Sequence, residues 1–352
     1  MACTSPLIAF KSHVLQTENG KALIAFKREH ISNLPYEEIS LPCGKCLSCK
    51  YDYAKQWAVR CVHEAQTTAN NQNSFITLTF NDDQLYKRRH DCTKCEKYKR
   101  QCRTREEKKL LNPEHVQLPI QFCSLDSLCH RDFTLFVKRL RKKLYPLTVR
   151  YFHVGEYGSR LGRPHHHALI FGYNFPDKYE WKRTSTGMTL YRSDLLEELW
   201  PYGYSSIGEV TWQTAAYCAR YSIKKVGGSQ KDANYRRTDR KTGETYLLET
   251  EYVTMSRRPG IGNDWFLRYP GDIYPKDCVH ICGRVFKTPR YYDTLYDIQN
   301  PTEFKKIKRK RLTAARKNVT ENTYSRQRSK RIIAEKNLSK LKREYENEGS
   351  TV

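Results

Sequence analysis

The stretch Gly162-Arg163-Pro164-His165-His166-His167-Ala168-Leu169-Ile170-Phe171-Gly172 leaves this chain few ways to fold. Three histidines run straight into an apolar segment closed by a glycine. A run of this length and composition between turn residues predicts a buried strand. Side chains alternate along a strand, so His165 and His167 share one face and His166 takes the other. Two imidazoles on one rigid face can hold a metal ion. Residues 149–156 predict a second strand, with the Gly155–Gly162 region as its turn, so the two strands pair as antiparallel neighbours. Glu156 then approaches the ion from the end of the first strand. Two nitrogens and one carboxylate oxygen suit Mg²⁺ or Mn²⁺ in a nuclease, leaving positions for phosphate oxygens.

A second constellation follows at Tyr217-Cys218-Ala219-Arg220-Tyr221-Ser222-Ile223-Lys224. Residues 211–225 predict a helix ended by Gly227-Gly228. Tyr217 and Tyr221, four residues apart, share a face of it, with Lys224 close to that face. A phenol is a weak nucleophile, with a pKa of about 10. A nearby ammonium or metal ion favours the phenolate.

The elements around these motifs predict an α+β fold, a mostly antiparallel sheet with helices packed on it. Residues 50–67 read as a helix with Trp57, Cys61 and Ala65 along one side, and residues 75–80 as a central strand. Residues 131–145 place Phe133, Phe136, Val137, Leu140 and Leu144 at helical spacing, stopped by Pro146. The opposite face carries Lys138, Arg139, Arg141, Lys142 and Lys143, suited to solvent or to a phosphate backbone. Ser193 caps a short helix to Leu199, and residues 204–210 predict another strand. The resulting organisation is an N-terminal segment 1–69, a core domain 70–228 interrupted by a cysteine-rich insertion 81–130, a polar, loop-rich segment 229–300, and a basic tail 301–352, helical or disordered.

Charge narrows the partner. The chain of 352 residues carries 63 Lys and Arg against 38 Asp and Glu, a formal +25. Sixteen Lys or Arg against six Glu put +10 of this in residues 301–352. Such an excess points to a polyanion, foremost nucleic acid. The 25 tyrosines offer flat surfaces for unpaired bases. No apolar run approaches the roughly 20 residues needed to cross a bilayer, and the N-terminus does not read as a signal peptide.

The 13 cysteines therefore read as reduced thiols or metal ligands. Cys43, Cys46 and Cys49 form C-x₂-C-x₂-C, for which Cys61 or His63 offers a fourth ligand. Cys92 and Cys95 form a second C-x₂-C, followed by Cys102, Cys123 and Cys129. Either group is a candidate structural Zn²⁺ site, with free thiols as the alternative.

Several segments together resemble the replication initiation proteins of small single-stranded DNA phages of the microvirus group, gokushovirus type, which are HUH endonucleases. They are Pro42-Cys43-Gly44-Lys45-Cys46, Gln56-Trp57-Ala58-Val59-Arg60-Cys61, His63-Glu64-Ala65, residues 74–80, Gly155-Glu156-Tyr157-Gly158, the histidine motif and the two-tyrosine helix. The resemblance spans roughly residues 40–228, and departs from the usual pattern at His166, where a bulky apolar residue is customary. It implies an HUH-like antiparallel sheet flanked by helices. It also implies rolling-circle initiation, in which an ion on His165, His167 and Glu156 polarises the scissile phosphate of single-stranded origin DNA. One tyrosine attacks, leaving a 3′-hydroxyl and a 5′-phosphotyrosine, and the second tyrosine serves the closing cleavage and joining. Lys224 is the candidate for stabilising phenolate or phosphorane charge, and the order of attack is left open. The setting implied is the host bacterial cytoplasm, with a host polymerase extending the nicked strand. The chain carries no recognisable helicase motif, which assigns unwinding to a host helicase. A plasmid initiator or single-strand transposase shares this chemistry, but transposases of this type commonly use one tyrosine. A non-enzymatic DNA-binding protein would explain the tail but not the His and Tyr arrangement.

Overall fold

The computed structural model describes residues 3–18, 22–31, 34–69, 72–81, 84, 127–158, 162–184, 187–224, 234–238, 245–317 and 319–339. The chain divides into two compact units. One comprises Met1–Lys55 with Asp293–Lys342, and the other has Gln56–Tyr292 as its body.

In the first unit, strands β1 (Leu7–Gln16), β2 (Ala22–Ala25) and β3 (Tyr36–Leu41) form a small antiparallel sheet in the order β2-β1-β3. No local pattern announces these strands, because they bury little and lack strict alternation: Ile8, Val14 and Ile24 are exposed. The basic tail is helical over Pro301–Lys317 and Tyr324–Ser339. Arg311 pairs with both carboxylate oxygens of Asp293 at 2.7 and 2.8 Å, a fork-to-fork contact that fixes the first of these helices. Helix α1 (Leu47–Thr67) begins in this unit and continues into the second.

The second unit is built on a seven-stranded sheet. Its strands are β4 (Asn73–Phe80), β5 (Arg150–Tyr157), β6 (Pro164–Phe171), β7 (Tyr179–Arg183), β8 (Thr189–Arg192) and β9 (Gly203–Gly208), joined by β12 (Tyr252–Met255). The order is β12-β5-β6-β4-β9-β8-β7, and every pairing is antiparallel. A separate two-stranded ribbon pairs β10 (Arg236–Thr238) with β11 (Thr245–Leu247). Another pairs β13 (Cys278–Ile281) with β14 (Arg284–Lys287).

Period-2 alternation divides the central strands between two faces. Ile76, Leu78, Phe80, Ala168, Ile170 and Ile207 face one way, against α2 (His130–Leu144) and α3 (Asp194–Leu199). Helix α2 buries Phe133, Phe136, Val137 and Leu140, the i, i+3, i+4, i+7 stripe its sequence predicts. Ser193 caps α3, its hydroxyl accepting from the Leu196 N–H at 3.1 Å. On the other face Phe75, Phe152, Val154, Leu169 and Phe171 pack with Cys61 of α1 and with Ala215, Tyr217, Cys218 and Tyr221 of α4 (Trp212–Lys224). Truncating one of these buried aromatics to alanine costs about 3–5 kcal/mol.

One expectation needs correction. The segment 229–300 is not merely polar and loop-rich, because it supplies β12 to the main sheet, with Tyr252 opposite Gly155. One buried and three half-buried residues on an edge carry no periodicity to read. The Tyr252 ring also needs Gly155: a Cβ there would lie 2.7 Å from its Cε1. The basic face of α2 is exposed at Lys138, Arg141, Lys142 and Lys143, as expected, though some of its charges also meet neighbours. The Arg139 Nε–H donates to the Leu199 carbonyl, Arg141 donates to that of Val149, and Lys143 lies 3.4 Å from Glu198.

One buried histidine makes stability pH-dependent. His63 stacks on Trp265 at 3.5 Å, with Nδ1 3.0 Å from the Tyr292 hydroxyl. Burial lowers its pKa from 6.5 to about 3. The unfolded chain therefore takes up the proton first. The stabilisation is present above pH 6.5 and is lost as pH falls toward 3, by up to about 4–5 kcal/mol. Burial holds His153 below its ordinary value too, in the same direction. Melting curves from about pH 7 to 4 should show Tm falling, with a shallower slope in His63→Phe. An equal slope in both proteins would contradict this.

Candidate functional site

The site lies at one end of the α4 face of the sheet. Register writes it in rows. Glu156, His165, Thr79 and Tyr204 oppose one another across β5, β6, β4 and β9. The next row is Val154, His167, Thr77 and Ser206, and the row below is Phe152, Leu169, Phe75 and Gly208. An apolar face thus turns polar in its last two rows.

Two threonines face the imidazoles. Thr77 Oγ1 lies 3.0 Å from His167 Nδ1, and Thr79 Oγ1 lies 2.8 Å from His165 Nδ1. With each Nδ1 facing a threonine hydroxyl, Nε2 is the nitrogen an ion would take, the usual division of labour in a metal-binding histidine. His167 Nε2 is 2.8 Å from Glu156 Oε1, and both residues are buried. The imidazole centroids of His165 and His167 are 6.4 Å apart. That spacing is near the upper end of what two imidazoles sharing one ion span at metal–nitrogen distances of about 2.1 Å. The donors are of the kind a divalent cation such as Mg²⁺ or Mn²⁺ takes, but they are not a group whose ligand atoms all lie within 4.8 Å of one another, so an ion there would have to draw the side chains together. Gly158 gives His165 its room, since a Cβ there would lie 2.6 Å from its Nε2.

His166 lies on the opposite face, as its place in the strand requires. Its Nδ1 is 3.1 Å from His153 Nε2, and its ring meets Trp200 edge-on at 5.5 Å. Where the resemblance implies a bulky apolar residue, this chain places a buried histidine that pairs with His153.

The structure brings both tyrosines to His167. The Tyr221 ring stacks on the imidazole at 5.5 Å, and the Tyr217 ring meets it edge-on at 5.1 Å. The two phenol rings are 4.9 Å apart, and both are almost fully buried. Lys224 ends α4, and its side chain is not among those described. A cation the sequence reading passed over does sit nearby: the Arg220 guanidinium is 5.8 Å from the Tyr217 ring centroid. Thr77 and Thr79 were passed over too. Their signal is a Thr-x-Thr strand that must lie in register with a His-x-His strand, and register is not a property of one segment.

The cysteines divide. Cys92, Cys95, Cys102 and Cys123 lie outside the described residues. Cys129 immediately precedes α2, and its carbonyl accepts from the Tyr252 hydroxyl. Cys43, Cys46 and Cys49 gather with Cys3, all four sulfurs within 4.8 Å of one another, a group able to hold a metal ion. Cys61 and His63 take no part in that group. Cys61 is buried in the apolar core, where desolvation raises its thiol pKa, and His63 is committed to Trp265 and Tyr292.

Comparison with known proteins agrees with the resemblance carried by the motifs. Residues 121–226 match a family model describing replication-associated proteins of the ORF2 type. The replication-associated protein VP4 of Bdellovibrio phage phiMH2K is 28% identical over 297 residues, 81% of this chain and 76% of that protein. The replication-associated protein ORF2 of Spiroplasma virus 4 is 28% identical, over 80% of this chain and 75% of its own length. For the replication-associated protein ORF4 of Chlamydia phage 1 the identity is 27%, over 77% and 59%. No solved structure matches. These similarities support a replication initiator of the microvirus type. Among the described residues no helix is long and apolar enough to cross a membrane.

Proposed function

We propose that the chain initiates rolling-circle replication as an HUH-type endonuclease, nicking single-stranded origin DNA through a 5′-phosphotyrosine and later rejoining the strand. One observation carries the reading: the Tyr217 and Tyr221 rings lie 5.1 and 5.5 Å from the ring of His167, whose Nε2 is 2.8 Å from Glu156. The proposed nucleophiles thus pack on the sheet face that carries the proposed cation ligands.

His165, His167 and Glu156 would hold the ion. Mg²⁺ or Mn²⁺ bound there supplies Lewis-acid polarisation of the scissile phosphate. With Nδ1–H donating to the Thr77 and Thr79 hydroxyls, both imidazoles would present Nε2 to the ion. One tyrosine, as phenolate, attacks phosphorus. The bond to the 3′ oxygen breaks, that oxygen takes up a proton as the 3′-hydroxyl, and the phosphate remains on the tyrosine. Arg220 and Lys224 are the cations placed on α4 to favour the phenolate and the charge developing on phosphorus. In the closing step a 3′-hydroxyl attacks the phosphotyrosine and the phenol leaves. One phosphodiester bond forms for each one broken, so no nucleotide is consumed. Two tyrosines on one helical face suit this alternation. The net +25 draws the polyanion in, host polymerase and helicase complete the cycle, and the host bacterial cytoplasm is the setting.

The test is incubation with a labelled pool of single-stranded oligonucleotides. With Mn²⁺ the protein should acquire label that survives denaturing electrophoresis, and with chelator it should not. Salt-sensitive binding without any covalent label would overturn the reading.

The threonines make a finer test. Thr77→Val and Thr79→Val each keep the shape of the side chain and remove the hydroxyl. Each should weaken Mn²⁺ binding, read by titration calorimetry, by about 10–100-fold. Unchanged affinity in both would remove the threonines from the site.

A further inference from the structure

We propose that Cys3, Cys43, Cys46 and Cys49 form a closed four-thiolate zinc site that fastens the start of β1 to the start of α1. The β1–β3 ladder explains how residues so far apart in sequence meet. It pairs Leu7 with Leu41, so Cys3, four residues before Leu7, and Cys43, two after Leu41, leave the sheet at the same end. Gly44 then turns the chain in the left-handed region, at φ 70°. Cys46 directly precedes α1, and Cys49 stands in its first turn. A helix N-terminus favours negative charge, here that of thiolates.

The sulfur geometry is that of metal ligands. Cys3 Sγ is 3.6 Å from Cys43 Sγ and 3.7 Å from Cys46 Sγ. Tetrahedral zinc with Zn–S bonds of about 2.3 Å places its sulfurs roughly 3.8 Å apart. A disulfide would bring two of them to about 2.05 Å, and none of the four cysteines is in a disulfide. Two sulfurs also accept backbone hydrogen bonds, Cys3 Sγ from the Cys43 N–H at 3.3 Å and Cys43 Sγ from the Cys46 N–H at 3.2 Å. Such bonds stabilise thiolate. Four protein ligands fill the tetrahedron and leave no position for substrate, so the site is structural rather than catalytic. The sheet beside it needs such a staple. Of the large apolar residues of β1, Leu7, Ile8, Val14 and Leu15 are all exposed.

The test is zinc content of the full-length protein by mass spectrometry after dialysis against chelator at neutral pH. Cys3→Ser should carry one zinc ion fewer per chain than the parent, and Cys43→Ser should lose the same single ion. The Cys3→Ser/Cys43→Ser double variant should lose no more than one. Cys3→His, which restores a ligand, should regain it, and His167→Ala should keep it. That last arm separates this site from the proposed catalytic one. Alkylation of the unmutated protein needs no variant to fold: Cys3, Cys43, Cys46 and Cys49 should resist until metal is stripped. Parental zinc content in Cys3→Ser, or rapid alkylation of Cys3 in the metal-loaded protein, would overturn the proposal.

Discussion

Replacing both Tyr217 and Tyr221 by phenylalanine should abolish the covalent protein–DNA adduct, to below about one part in 10³ of the parental yield. The substitution removes two hydroxyls and keeps both rings, so the packing on His167 and Phe75 survives. Without the two phenol oxygens both proposed nucleophiles are gone. Each single Tyr→Phe variant should still form adduct through the other ring but should fail to release closed circles, because cleavage can no longer alternate. Gel analysis of label transfer, with circular dichroism to confirm folding, reads both outcomes. Adduct persisting in the double variant would remove these residues from the chemistry.

His167→Ala should lower the cleavage rate at least about 10³-fold, the equivalent of roughly 4 kcal/mol of transition-state stabilisation. His167 stands at the centre of the cluster, with Thr77 on Nδ1, Glu156 at Nε2 and both phenol rings around it. Its loss also opens a cavity, so Glu156→Gln is the companion variant. That change keeps shape and removes the carboxylate charge an ion would meet. Both variants should weaken Mn²⁺ binding as well as cleavage. A variant that cleaves slowly while binding Mn²⁺ at parental affinity would mean that the residue acts otherwise than as a ligand.

Most of the machinery could be read from local pattern. The histidine strand, its antiparallel partner carrying Glu156, the amphipathic stripe of α2 and the two-tyrosine helix each advertise themselves within a short window. What escaped reading depends on pairing between distant segments. Thr77 and Thr79 matter only because β4 lies beside β6 with Thr79 opposite His165. Cys3 joins the other three sulfurs only because the β1–β3 ladder returns the chain to its own start. The fourth partner of C-x₂-C-x₂-C was sought in Cys61 and His63, near in sequence but committed to the core. Strand β12 escapes reading because an edge strand of four residues, one buried and three half-buried, has no pattern, and its Tyr252 ring lies close on Gly155. Arg220 hid in plain view between the tyrosines, one helical turn from Tyr217.

The most direct measurement is the site of covalent attachment. The parental protein, incubated with Mn²⁺ and a single-stranded oligonucleotide pool, would be digested with nuclease and protease and its modified peptide sequenced by mass spectrometry. The phosphonucleotide should sit on Tyr217 or Tyr221, and none should form without the divalent ion. Attachment at any other residue, or at the same yield in chelator, would contradict a shared pocket of imidazole, carboxylate and phenol.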